Sequence, residues 1–231
     1  MKTIGIIGGL GPESTKMYYD KIVNQYRIKA GGQYPEIIIY SVNMEEMKKY
    51  LETKDLDTLT KRFSKILEVV IQAGADFVAI ASNSPHIVFD RLKEKVKVPL
   101  ISIVEESARH SANQTLNKKA GLLGTGFTMK ADFFPKTFSR FGMNLYVPDE
   151  DDQQFIHEKI FSELAFGVAN ETTRRGFIGI VEKMVAEHSI DTVVLGCTEL
   201  PLIFDKEYLG LKYIDTVEVH VSSIVDFCFN A

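Results

Sequence analysis

Two short turns carry the residues best suited to proton chemistry. Gly196-Cys197-Thr198-Glu199 follows the apolar run Thr192–Leu195, and Ser82-Asn83-Ser84-Pro85 follows Phe77–Ala81. A thiolate is a competent base and nucleophile, and a thiol at a helix start has its pKa lowered from about 8.5 toward neutrality. Cys197 stands past a strand end where a helix is expected to begin, so a usable thiolate is expected there. The chain's other cysteine, Cys228, lies in Val225-Asp-Phe-Cys-Phe and reads as a small buried hydrophobe. Ser82-Asn83-Ser84 combines hydroxyl, amide and backbone donors, the make-up of a carboxylate cradle. The same residues would also cap a following helix, and the two roles are compatible.

Two glycine-containing turns could hold a small anion. Gly8-Gly9-Leu10-Gly11-Pro12-Glu13-Ser14-Thr15 lacks the GK[ST] ending of a nucleotide-phosphate loop, and Pro12 stands where a dinucleotide fingerprint needs its helix running. Gly124-Thr125-Gly126-Phe127-Thr128 is similar, with two hydroxyls added. Both read as anion-cradling loops for a small ligand. His86, His110, His157, His188 and His220 are scattered, without HxH or HxxxH spacing, and two cysteines are too few for a disulfide framework. No metal is expected. His86 and His220 could each orient a site group, or be satisfied structural residues.

The elements that position these turns alternate along the chain. Thr3–Ile7, Glu36–Val42 and Phe77–Ala81 read as strands, with helices over Glu13–Ala30 and Asp55–Ala73. The helix at Asp55–Ala73 carries Leu56, Leu59, Phe63, Ile66, Leu67 and Val70 at three- and four-residue spacing. The second half repeats the plan: strands at Ala120–Leu123, Asn144–Val147 and Thr192–Leu195, helices at Met129–Phe141, Asp152–Val168 and Thr173–Glu187. The spacing is closer than topology requires. Asp76 to Asp191 and Ser82 to Cys197 are both 115 residues, while Gly5 to Gly121 and Gly8 to Gly124 are both 116. Half of 231 is about 115, so the period fills the chain. An internal duplication follows, giving an α/β fold of two pseudo-symmetric domains, each a mostly parallel sheet flanked by helices. Ligands of such sheets bind outside the strands' carboxyl ends, so the active site is expected in the interdomain cleft with Ser82 and Cys197 facing one another.

Composition excludes several function classes. A formal net charge of -4, without a Lys/Arg cluster, is no footprint for nucleic acid. The start, Met1-Lys-Thr-Ile-Gly-Ile-Ile-Gly-Gly, is too short in apolar residues for a secretory signal. No apolar segment approaches the roughly 20 residues that span a bilayer. A soluble cytoplasmic protein acting on a small molecule is the expectation, with no nucleic-acid or membrane partner.

The pattern as a whole resembles the aspartate/glutamate racemase superfamily, pyridoxal-independent enzymes of two pseudo-symmetric α/β domains. The resemblance rests on Ile6–Thr15, Asn83-Ser84-Pro85-His86, Leu123-Gly124-Thr125 with Thr128-Met129, Glu163-Leu-Ala-Phe-Gly167, Gly196–Glu199 and Asp215-Thr216 with His220. It implies a cofactor-free two-base mechanism, in which one side chain removes the α-proton and another returns one from the opposite face. The matching positions are Cys197 and Ser82. Asn83, Ser84, Thr125 and Thr198 match residues that hold the substrate's α-carboxylate and amino group, and Thr128 and Gly11 belong to the same binding turns. The resemblance also implies a homodimer. Domains of 1–97 plus 206–231 and of 98–205 are expected.

Two departures bear on activity. The family commonly has cysteine at both proton-transfer positions, and serine gives up a proton far less readily. A hydroxyl residue, threonine, stands there in some similar racemases, and a decarboxylase branch works with one cysteine at the second position. A lyase or isomerase using a single cysteine, or a binding protein without turnover, is therefore the alternative. The loop after the second strand, Asn43-Met-Glu-Glu-Met-Lys-Lys-Tyr50, offers no Arg for a distal carboxylate. Lys48 and Lys49 are the candidates, and read equally well as solvated helix charges.

Overall fold

A computed structural model describes residues 2–204 and 208–229. In chain order the elements are β1 (Ile4–Gly8), α1 (Pro12–Lys29), β2 (Ile37–Ser41), α2 (Met44–Glu52), α3 (Leu56–Gln72), β3 (Phe77–Ile80), α4 (Phe89–Lys93), β4 (Leu100–Ile101) and α5 (Ile103–Gln114). They continue as β5 (Lys119–Leu123), α6 (Gly126–Lys130), α7 (Phe133–Arg140), β6 (Asn144–Tyr146), α8 (Glu150–Ser162), α9 (Glu171–His188), β7 (Thr192–Leu195), β8 (Lys212–Asp215) and α10 (Thr216–Phe229). Short 3-10 turns cover Ser84–Val88, Leu164–Phe166 and Leu200–Leu202.

The chain forms two compact units, Met1–Glu106 with Val217–Ala231, and Ser107–Thr216. Each holds a four-stranded parallel sheet, and the orders β2-β1-β3-β4 and β6-β5-β7-β8 are one topology used twice. By sheet register β3 corresponds to β7 at an offset of 115 residues and β1 to β5 at 116, Ile4 pairing with Phe77 as Ala120 pairs with Thr192. β4 pairs with β3, Val78 opposite Leu100, which keeps residues 98–106 with the first sheet. The sequence-based division at 97/98 lies nine residues earlier than the one between these units, at 106/107. The division expected at 205/206 lies outside the described residues.

Burial on both faces explains the unbroken apolar strands. In the first unit, Ile7, Val78 and Ile80 pack with Phe63, Leu67 and Val70 of α3, while Ile4, Ile6, Phe77 and Ala79 pack with Tyr18, Ile22 and Tyr26 of α1 and Val221 and Ile224 of α10. In the second unit, Leu123, Val193 and Leu195 pack with Phe177, Val181 and Met184 of α9. Each fully buried large side chain contributes about 1.5–3 kcal/mol. Asn43, Asp55, Asp149 and Asn170 cap α2, α3, α8 and α9 by accepting backbone N–H bonds.

Two expected helices are broken. The run Met129–Phe141 is α6 and α7, separated at Ala131 with ψ near 154°. Pro135 is the cause: inside one continuous helix its ring would meet the Ala131 carbonyl, whereas a restart at Phe133 puts it in a first turn. The run Asp152–Val168 ends as a helix at Ser162, followed by a 3-10 turn and then Gly167 at φ 74°.

Candidate active site

In each sheet the chain order reverses between the two central strands, and ligand sites of parallel sheets lie at that switch. The candidate residues of the second unit lie past the ends of these strands, β5 and β7. Gly196 N–H donates to Leu123 O at 2.7 Å, joining the two turns. A side chain on Gly124 would come 3.2 Å from Thr128 and 3.3 Å from Gly196 O, so glycine lets the turns close on the Thr128 methyl. Thr128 is buried, and its N–H donates to Thr125 Oγ1 at 3.4 Å, capping α6. The two threonine hydroxyls are 3.2 Å apart. Gly126 N–H donates to His157 Nδ1 at 3.2 Å, which places that ring's proton on Nε2 when neutral.

Cys197 is partly buried, and its S–H donates to Glu199 Oε2 at 2.9 Å. Burial first, and then the Glu199 carboxylate, push the thiol well above its ordinary value. The sequence argument expected the reverse, a thiol lowered by a helix start. The element after Cys197 is only the 3-10 turn Leu200–Leu202, too short to act as a helix dipole. The backbone bonds of Thr198 and Glu199 do favour the thiolate, but they rank below burial and the carboxylate. The resting sulfur is therefore a protonated acid with a base already attached. Such a pair can release a proton from sulfur to Glu199 as sulfur accepts another.

The corresponding turns of the first unit follow β1 and β3. Thr15 Oγ1 accepts Gly9 N–H at 2.8 Å and donates to Gly11 O at 3.3 Å. A Cβ at Gly8 would stand 2.4 Å from Thr15, and one at Gly9, with φ 84°, only 2.5 Å from the Val42 backbone. Gly11, at φ 100°, precedes α1. Ala81 N–H donates to Ile7 O at 2.9 Å, the counterpart of Gly196 to Leu123. Beyond it Ser82 and Ser84 are partly buried and Asn83 is buried. His86 is satisfied on both ring nitrogens: Nδ1–H donates to Ser82 O at 2.9 Å, and Nε2 accepts Ile103 N–H at 3.3 Å. His220 Nδ1 accepts the Tyr18 hydroxyl at 2.8 Å while Nε2–H donates to Ile101 O at 3.0 Å. Burial, and for His86 also the neighbouring His220, lower these rings to about 3 and about 4. Both histidines are neutral braces, and His86 holds the carbonyl of Ser82.

The family assignment comes from comparison with known proteins. The sequence pattern of Asp/Glu/Hydantoin racemase matches residues 7–224. The chain belongs to that family. The broad specificity amino-acid racemase RacX of Bacillus subtilis strain 168 is 26% identical over 227 residues, 92% of this chain and 92% of that protein. An aspartate racemase homologue from Pyrococcus horikoshii OT3 is 37% identical, with a TM-score of 0.84 and both chains covered in full. A Yersinia pestis chain classed with the Asp/Glu racemases is 29% identical with a TM-score of 0.93, again covering both chains. The expected two-domain α/β fold and an enzyme of the amino-acid racemase type stand on these likenesses.

In this racemase-family chain the remaining candidates fall away from the turns. Cys228, on α10, donates to Ile224 O at 3.4 Å, and burial raises its thiol to about 11. Lys48 and Lys49 are exposed on α2, and Lys48 stands 3.8 Å from Glu52. Among the described residues no group of three or more His, Cys, Asp and Glu could hold a metal, and no helix is long and apolar enough to cross a membrane. Sequence reasoning gave Glu199 no part in proton transfer, although two residues from Cys197 is a reachable spacing. It gave His157 no role, because nothing local ties that residue to a glycine 31 positions away.

Proposed function

We propose that this protein racemises an amino acid, aspartate or glutamate, without a cofactor, using Cys197 and Ser82 on opposite faces of the α-carbon. The observation that carries the reading is the Cys197 S–H bonded to Glu199 at 2.9 Å, at the end of β7, in a racemase-family chain. Sulfur accepts the α-proton while its own proton passes to Glu199. The pair left on carbon delocalises into the substrate carboxylate, which the donors of Asn83, Ser84, Thr125 and Thr198 hold, with Thr128 and Gly11 shaping the turns. A proton returned by the Ser82 hydroxyl on the other face completes inversion; solvent then reprotonates the serine alkoxide and takes up the proton left on Glu199. Return from Cys197 restores the starting enantiomer. The serine, a poorer acid than a second thiol, supports a second reading in which one face does most of the work, as in a single-cysteine lyase or isomerase. A cytoplasmic homodimer belongs to the same proposal.

Incubation with L- and D-aspartate and glutamate in D₂O, followed by NMR and chiral chromatography, tests it. Inversion with α-deuteration is the expected result. Exchange without inversion would assign one working base, and no exchange with either acid at high enzyme concentration would end the acidic-racemase reading. Turnover that survives Cys197→Ala would overturn the catalytic assignment. Ligand-dependent thermal stabilisation without turnover would make the protein a binding homologue.

A further inference from the structure

The two units close their glycine turns by different means. In the first the closure is internal: Thr15, in the first turn of α1, accepts Gly9 N–H on its own hydroxyl at 2.8 Å and fills the space beside Gly8. In the second it is not. The Thr125 hydroxyl accepts Thr128 N–H, and Gly126 N–H is among the donors that a helix start leaves without a helical partner. A side chain from outside the turn accepts it: His157 Nδ1, on α8, at 3.2 Å.

Packing holds the ring in that place. Phe161, one turn further along α8, meets the imidazole edge-on with centroids 4.9 Å apart. Gln153, one turn earlier, donates to Pro148 O at 2.7 Å and ties α8 to the loop before it. On the other side, the three atoms nearest to a Cβ on Gly126 would all be His157's, at 3.5 to 3.7 Å, so the imidazole backs the turn directly. Two parts of the site depend on where this turn stands. Thr125 shares its peptide with Gly126. The Thr128 methyl would lie 3.2 Å from a Cβ on Gly124 and 3.5 Å from one on Gly196, so one methyl supports both the β5 turn and the residue before Cys197.

We propose that His157 is a positioning residue: its Nδ1 fixes the Thr125 hydroxyl and, through the Thr128 methyl, the Cys197 turn. The kinetic consequence rests on the racemase reading, whereas the bond itself does not. A donor of the carboxylate turn matters most as charge builds on the substrate carboxylate during proton removal. Loss of its support therefore lowers kcat more than it raises KM. The neutral ring that accepts Gly126 N–H carries its proton on Nε2, and that atom has no part in this role.

Substitution separates the two ring nitrogens. Asparagine sets an amide oxygen where Nδ1 stands, and glutamine sets its amide near Nε2. His157→Asn is expected to keep kcat with aspartate or glutamate within about threefold of the parent. His157→Gln should lower it about 30-fold and change KM by less than about threefold. Rescue by glutamine rather than asparagine would assign a direct contact through Nε2 and overturn the proposal. Equal losses in the two variants, or none in either, overturn it as well. A second readout needs no turnover. In ¹⁵N-labelled protein a scalar coupling across the N–H···N bond should join Gly126 to His157 Nδ1. The Thr125 and Cys197 amide signals should shift and broaden in His157→Gln but not in His157→Asn. Absence of the coupling, or Thr125 and Cys197 signals indifferent to His157→Gln, overturns the proposal even if turnover changes. A parent that neither racemises nor exchanges aspartate or glutamate ends the racemase reading instead, and the spectra still decide the role of His157. Should His157→Gln fail to fold by circular dichroism, His157→Leu, apolar and of similar bulk, takes its place in both tests.

Discussion

The two buried histidines of the first unit should make that unit labile to mild acid. His86 and His220 lie with ring centroids 6.5 Å apart and edge-on, and each is held neutral by two bonds. The groups facing them are the Tyr18 hydroxyl, the Ser82 and Ile101 carbonyls, the Ile103 N–H and the Phe89 ring. No carboxylate is among these, so neither imidazolium finds a counter-charge there. Their folded values, about 3 and about 4, lie below the ordinary 6.5. The unfolded chain therefore binds more protons in acid, and stability rises with pH. The contribution is complete above about pH 6.5 and is lost as pH falls toward 4 for His220 and 3 for His86. Between pH 7 and 5 each ring should cost about 2 kcal/mol, about 4 for the two, against about 5–15 for a whole domain. Asp55, Asp149 and Glu163, whose values are lowered by hydrogen bonds, lose their contributions only below the ordinary carboxylate range and leave this window clear. The assay is urea unfolding followed by hydrogen exchange, read separately in peptides from β1 and β3 and in peptides from β5 and β7. His220→Gln keeps an acceptor for Tyr18 and a donor for Ile101 without a titrating ring, and should remove about half of the acid loss. An unchanged midpoint for the first unit between pH 7 and 5, or a full loss retained in His220→Gln, would refute the reasoning.

Three further outcomes follow from the turns. Glu199→Gln, in a Cys228→Ser background, removes the carboxylate that helps raise the Cys197 thiol, so iodoacetamide should react faster at pH 8 while turnover falls about 100-fold with the lost proton acceptor; slower alkylation would contradict the assigned pair. Ser82→Cys supplies a second thiol, and the ratio of inversion to α-proton exchange in D₂O should rise about tenfold or more. A fixed ratio would remove residue 82 from proton transfer. Gly9→Ala forces a side chain onto φ 84° and against the Val42 backbone at 2.5 Å. A loss of about 2–5 kcal/mol by denaturant titration is expected, and a loss under about 0.5 would mean the turn rearranges freely.

Much of the scaffold was legible because it is local or periodic. Strands buried on both faces must be short unbroken apolar runs, which is why β1, β3, β5 and β7 stand out. A duplicated unit keeps its spacing, so the offset of 115 residues aligned Ser82 with Cys197 before any sheet was known. Gly8 and Gly124 carried the same information, since a threonine packs against each turn. Pro135 was also readable as a helix break within Met129–Phe141.

What the tertiary structure alone decided is the electrical state of the site. Sequence placed Cys197 at a strand end, where a helix dipole would have made a thiolate. Folding supplies a 3-10 turn, a partly buried sulfur and the Glu199 carboxylate, and these keep the proton on sulfur. Likewise His86 and His220 carry no mark of their partners. Tyr18 lies 202 residues from His220, and Ile101 lies 119 away. Residue types and spacing are properties of the chain, whereas pKa values and hydrogen-bond partners depend on groups that only packing brings together.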